Sequence, residues 1–197
     1  MERSDRKLLN IELHRVHAED YRKLPATGLV VVLDNVRSAH NVGSVFRTAD
    51  SFGIDKIYLC GITPAPPSAE IHKSALGAEN SVVWERFENT LDAVAKLKSE
   101  RYTVISVEQT VNSVKMDAYS PYECDTDTGT TEKRSPRYAV VFGNEVDGVA
   151  QDVVDNSAFS LEIPQFGSKH SLNVSVCAGA VLWHFRLDAL RHGWTRK

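Results

Sequence analysis

The stretch 28–53 reads GLVVVLDNVRSAHNVGSVFRTADSFG. Its first six residues form a short apolar, β-branched run with no polar alternation, ending at polar Asp34 and Asn35, the composition of a strand covered on both faces in a parallel sheet. A helix is expected from about 42 to 52, stopped by Gly53. Outward from this unit the alternation continues. Strands are predicted at 56–60, 102–107, 138–142 and 159–163, with a helix over 91–100 and a short one around Ile71 after the proline-rich GITPAPPS. Strand and helix taking turns imply an α/β class, with a mostly parallel sheet and helices on both faces.

Ahead of the first strand, Leu8, Leu9, Ile11, Leu13, Val16 and Tyr21 recur at roughly helical spacing before Pro25. This predicts an N-terminal helical extension over 1–25 and a main domain over 26–197. The stretch 125–136, DTDTGTTEKRSP, has no apolar periodicity, so a mobile surface loop is expected at about 120–137. Residues 172–187 are apolar almost all round, as in a buried helix, and Cys177, Ala178, Gly179 and Ala180 would let another element or a second chain approach.

At 197 residues the chain can bury a core without staples, and 42% hydrophobic with 25% charged residues excludes a disordered or fibrous class. Its three cysteines are odd in number and lack C-x-x-C spacing, which reads as reduced thiols in a cytoplasmic protein. No run is long and apolar enough to span a bilayer, so no membrane partner is expected. The formal net charge of −3 lacks the basic excess of a nucleic-acid binder. The end from Arg186 nevertheless gathers Arg186, Arg191, Arg196 and Lys197 against Asp188 alone.

Three segments concentrate glycines and polar residues at strand ends, where open parallel sheets bind ligands. In the first, Asn41 is placed to cap a helix, Gly43 permits close approach of a backbone or a phosphate, and Arg47 follows one turn later. Alone, this reads equally well as a capped helix with a surface arginine. The second, VVFGNEVDGV from Val140, runs a strand into a glycine turn with Glu145 at its carboxyl end. The third, IPQFGSKHSLNVS from Ile163, is a loop before a helix that Ser171 or Asn173 could cap. His40, His72 and His170 share no metal-ligand spacing and no metal is expected. Lys73 and Lys169 suit phosphate contacts.

In register, N-x-G-x-x-x-R (41–47), F-G-N-E-x-x-G (142–148) and I-P-x-x-G-x-x-x-S-L-N-V-S (163–175) resemble the three motifs of the SpoU (TrmH-like) family of SPOUT methyltransferases, with S-A-L-G-A (74–78) a weaker match. The resemblance implies a C-terminal deep trefoil knot, with the knot and dimer region at about 140–190, and a homodimer. It implies S-adenosylmethionine held by Gly143, Ile163, Leu172 and Ser171 and by the strand end at Val107. It further implies a site of Arg47, Asn41, Glu145, Ser171 and Asn173 that methylates a ribose 2′-hydroxyl of RNA, tRNA first and rRNA second. Arg47 would position or activate that hydroxyl. The rival readings are base methylation and a non-catalytic RNA-binding dimer on the same fold.

Overall fold

The computed structural model describes residues 5–13, 16–123 and 136–194. Among these, seven strands form one sheet: β1 (Leu29–Asp34), β2 (Lys56–Cys60), β3 (Val83–Phe87), β4 (Thr103–Val107), β5 (Val114–Lys115), β6 (Tyr138–Phe142) and β7 (Phe159–Glu162). Their order is β3-β2-β1-β6-β4-β7-β5, and every pairing is parallel. The helices are α1 (Ala18–Tyr21), α2 (Ala39–Phe52), α3 (Ala69–Ala75), α4 (Ala78–Ser81), α5 (Thr90–Ser99), α6 (Gln151–Asp155) and α7 (Val174–Arg191).

All six residues of β1 are buried, and the two-residue period of a strand divides them between two cores. Leu29, Val31 and Leu33 join α2, α3 and α7 on one face. Val30 and Val32 join α5 and α6 on the other. Layers on both faces are what the uninterrupted apolar run requires. Helix α2 begins three residues earlier than expected because Ser38, not Asn41, is the cap: its Oγ accepts from Asn41 N at 3.3 Å. Gly53 ends the helix at φ 69°, as anticipated. Gly43 serves the approach of a backbone, since a Cβ there would lie 2.4 Å from Ile71 O in α3.

The N-terminal segment differs from expectation. Asn10–Leu13 is a single 3-10 turn, Val16 and His17 are not helical, and α1 is one turn, so no continuous helix forms. Leu8, Leu9 and Ile11 are exposed, and of the six apolar residues only Tyr21 reaches the core. Its hydroxyl donates to Ala49 O and Ile54 O at 3.2 and 3.0 Å. Strands β3 and β5 and helix α6 were not expected. β3 and β5 are sheet edges, and their half-exposed faces carry the polar residues that obscure a strand pattern.

Most of the expected 120–137 loop, residues 124–135, lies outside the described residues, as do Cys124, Arg196 and Lys197. Its first residues are fixed to α7. Ser120 Oγ and Tyr122 N each donate to the buried Asp188 carboxylate at 2.8 Å, and Tyr138 stacks edge-on against Tyr122 and Phe185. The expected knot is a property of the whole chain path, which includes 124–135. Among the described residues no helix is long and apolar enough to cross a membrane.

Removing the Asp188 carboxylate strands a buried main-chain N–H and a hydroxyl, each costing about 1–3 kcal/mol. In urea denaturation, Asp188→Ala is expected to lose about 3 kcal/mol, against less than about 0.5 kcal/mol for the exposed Glu19→Ala.

Candidate active site

Parallel strands release their loops at one end, and three of those loops meet around a cavity of about 430 Å³. The end of β4 supplies Val107, Glu108 and Gln109, and the loop after β6 supplies residues 142–148. The loop after β7 and the first turn of α7 supply Ile163, residues 170–174 and Cys177. All five residues expected to hold a cofactor, Gly143, Ile163, Leu172, Ser171 and Val107, are on this wall.

The β6 loop folds back on itself. Asn144 N and O exchange hydrogen bonds with Gly148, and Asn144 Oδ1 accepts from the N–H groups of Val146 and Asp147, both at 2.8 Å. Gly143 faces the return strand so closely that a Cβ would lie 1.9 Å from Gly148 C, which excludes any larger residue.

This hairpin presents Glu145 to the start of α2. Its carboxylate accepts from Arg37 N at 3.0 Å, Ser38 N at 3.1 Å and Asn41 Nδ2 at 2.8 Å. Asn41 Oδ1 in turn accepts from Asn173 Nδ2 at 3.1 Å, while Asn173 Oδ1 caps α7 through Ser175 N and Val176 N at 2.9 and 3.3 Å. Glu145, Asn41 and Asn173 therefore form one chain of hydrogen bonds at the cavity rim. Partial burial raises the Glu145 carboxyl, but the hydrogen bonds from Arg37 N, Asn41, its own backbone and Ser38 N outweigh that and hold it below the ordinary value.

Ser171 is on the wall, whereas Arg47 is not. Arg47 is exposed on α2, six residues and so about 9 Å along the axis from Asn41. Lys73 and Lys169 are exposed, and His72 Nδ1 pairs with Glu79 Oε1 at 2.5 Å. Sequence reasoning missed Glu108 and Gln109. Glu108 Oε2 accepts from Val149 N at 3.0 Å, and Gln109 Nε2 donates to His170 O at 3.0 Å, so adjacent residues tie down both cavity loops. The available signal was a carboxylate at a strand's carboxyl end, the same one that drew attention to Glu145.

A carboxyl held below its unfolded value of about 4.3 contributes its stability above that value and loses it as pH falls through the lower folded one. The gap in urea midpoint between the natural chain and Glu145→Gln is thus expected to hold from about pH 7 to 5 and to close below about pH 4. A gap that widens on acidification would contradict this.

Known proteins resemble this chain in sequence and in fold. The chain is 29% identical over 170 residues to the 23S rRNA (guanosine-2′-O-)-methyltransferase RlmB of Neisseria meningitidis serogroup B, covering 86% of this chain and 62% of that one. It is 26% identical to the tRNA (guanosine(18)-2′-O)-methyltransferase of Aquifex aeolicus, covering 79% and 67%. The chain thus spans less than two thirds of the RlmB relative. The crystal structure of the A. aeolicus TrmH/SpoU tRNA modifying enzyme superposes with a TM-score of 0.73 at 23% identity, over 90% of this chain and 82% of that one. The AdoMet-bound rRNA methyltransferase of Sinorhizobium meliloti gives 0.70 at 25% identity, over 86% and 59%. With the profile of the SpoU rRNA Methylase family matching residues 28–183, the chain belongs to that family.

Proposed function

We propose that the protein is an RNA 2′-O-ribose methyltransferase that uses S-adenosylmethionine and acts as a homodimer, on tRNA in the first instance and rRNA in the second. Residues 26–197 would form the catalytic domain, with a knotted C-terminal part, and 1–25 an extension. The observation that carries the reading is the hydrogen-bonded chain Glu145–Asn41–Asn173 at the rim of a cavity walled by Gly143, Ile163 and Leu172.

The cavity fits the donor in size and charge. Its volume lies in the range of small-molecule sites, about 300–1,000 Å³. Its wall carries Glu108, Glu145, Asp147 and Glu162 and, among the described residues, no lysine or arginine, which suits a cation and disfavours a phosphate-bearing cofactor. S-adenosylmethionine, when bound there, supplies a methyl group on a positively charged sulfur.

The chain's own groups would do the rest. Glu145, anchored by main-chain N–H groups, fixes Asn41, and Asn41 fixes Asn173, so the rim is oriented before RNA arrives. Ser171 and Asn173 offer hydrogen bonds to the ribose at the mouth. A guanidinium is a poor base, and the planar fork of Arg47 matches a phosphate. Its role here is to hold the phosphate beside the reacting 2′-hydroxyl. The acidic wall repels that phosphate, which favours cations placed outside the cavity, as Arg47 and Lys169 are.

The dimer reading is supported by α7, whose outer face exposes Val176, Trp183 and Leu190 at seven-residue intervals. Trp183 meets Phe52 of α2 with ring centroids 5.5 Å apart, which carries the apolar face onto the helix bearing Arg47. A second copy of the chain would cover a self-complementary surface of this kind.

Incubation with labelled donor and total tRNA and rRNA, followed by nucleoside mapping, is expected to place label on ribose. Label in a base, or none despite donor binding, would overturn the reading. Arg47→Ala is expected to lower the rate at least about 100-fold with donor affinity unchanged. Arg47→Lys should recover little of this, because an ammonium cannot reproduce the two-pronged contact. Near-normal activity of the lysine variant would exclude the clamp. Trp183→Glu is expected to sediment as a monomer.

A further inference from the structure

Of the four carboxylates on the cavity wall, two are ion-paired, and a third, Glu145, has no ion pair but takes three hydrogen bonds, one of them from a side chain. Glu162 pairs with Lys115 Nζ at 2.5 Å and accepts from Ser113 Oγ. Asp147 faces Arg37 Nη2 at 3.9 Å. Glu145 is taken up by two main-chain N–H groups and Asn41.

Glu108 differs. Its Oε1 accepts from Gln109 N at 2.8 Å and its Oε2 from Val149 N at 3.0 Å, with no ion pair to a lysine, arginine or histidine among the described residues. Each oxygen keeps a further acceptor position, and the charge has no counter-ion in a partly dehydrated cavity, where charges interact more strongly than in water. The neighbouring Cys177 thiol registers this: burial first, and the Glu108 charge second, push it up to about 12. The carboxylate also has little freedom to turn away. Gly148, at φ 71°, packs so close that a Cβ would come within 2.2 Å of Oε2, and Gln109 is held through its bond to His170 O.

We propose that Glu108 is the counter-charge for the cationic sulfur of the methyl donor, and so the residue by which the cavity prefers donor to demethylated product. The inference rests on the S-adenosylmethionine reading above. The sulfonium carries a positive charge that vanishes when the methyl group leaves, because the bonding pair stays on sulfur as a neutral thioether. A fixed, uncompensated carboxylate holds the first form more tightly than the second and favours exchange of product for fresh donor.

Calorimetric titration of the full chain tests this with three probes: S-adenosylmethionine; sinefungin, whose amine keeps a positive charge near that position; and S-adenosylhomocysteine. In Glu108→Gln the two cationic ligands are expected to weaken about tenfold and the neutral thioether by less than about threefold. Cys177→Lys keeps both Glu108 hydrogen bonds and places a cation beside the carboxylate, and it should erase the same preference. Glu108→Asp should retain it even where all three ligands weaken. Equal weakening of all three ligands in Glu108→Gln would make Glu108 a loop anchor only and overturn the proposal. So would an unchanged preference in Cys177→Lys, which remains decisive if the glutamine variant fails to fold. A natural chain that binds none of the probes would overturn the donor reading as well, whereas binding with an unaltered preference in the variants overturns this inference alone.

Discussion

Parallel pairing is the constraint from which the rest follows. Each strand of a parallel sheet must return by a crossover, so the carboxyl ends of β1, β4, β6 and β7 share one edge although they are far apart in sequence. Loops released at that edge have main-chain N–H groups with no ladder partner. These must be satisfied some other way, and here many of them are satisfied by carboxylates.

The pattern recurs through the molecule. Asp34 accepts from Ala150 N, Glu108 from Val149 N, Glu145 from Arg37 N and Ser38 N, and Asp188 from Tyr122 N. At the opposite edge Asp55 accepts from Thr27 N and Gly28 N, both at 2.7 Å. Each joins segments distant in the chain, and each consumes negative charge in holding loops. The acidic sum that seemed to argue against a nucleic-acid partner is therefore partly an internal quantity. It describes how loops are held as well as what the surface presents to a polyanion.

What was legible in the sequence follows from the same physics. Central strands such as β1, β2 and β6 are buried on both faces and announce themselves as apolar runs, and β2 and β6 fall at the predicted residues. β3 was hidden because an edge strand is only partly covered on both faces, which leaves room for polar Glu85 on one and Arg86 on the other. The N-terminal apolar spacing misled because periodicity guarantees a face but not a surface to bury it against. In the site, the glycines and the IP and SLN segments were readable because backbone geometry restricts residue type there. Glu108 and Gln109 were not, since a polar pair at a strand end is ordinary until the loops it secures are known. Arg47 illustrates the reverse: a motif fixes its position on α2, while the folded chain leaves it outside the cavity.

The two anchors flanking residues 124–135 have a consequence for how this protein can vary. Tyr122 is fastened to Asp188 of α7 on one side, and on the other Arg137 O accepts from Thr103 N and Tyr138 N donates to Gly28 O. The entropic cost of joining two pinned ends grows only with the logarithm of the length of chain between them. Tyr122 is thereby held on α7, and Tyr138 beside Gly28, by bonds that do not involve the residues between them.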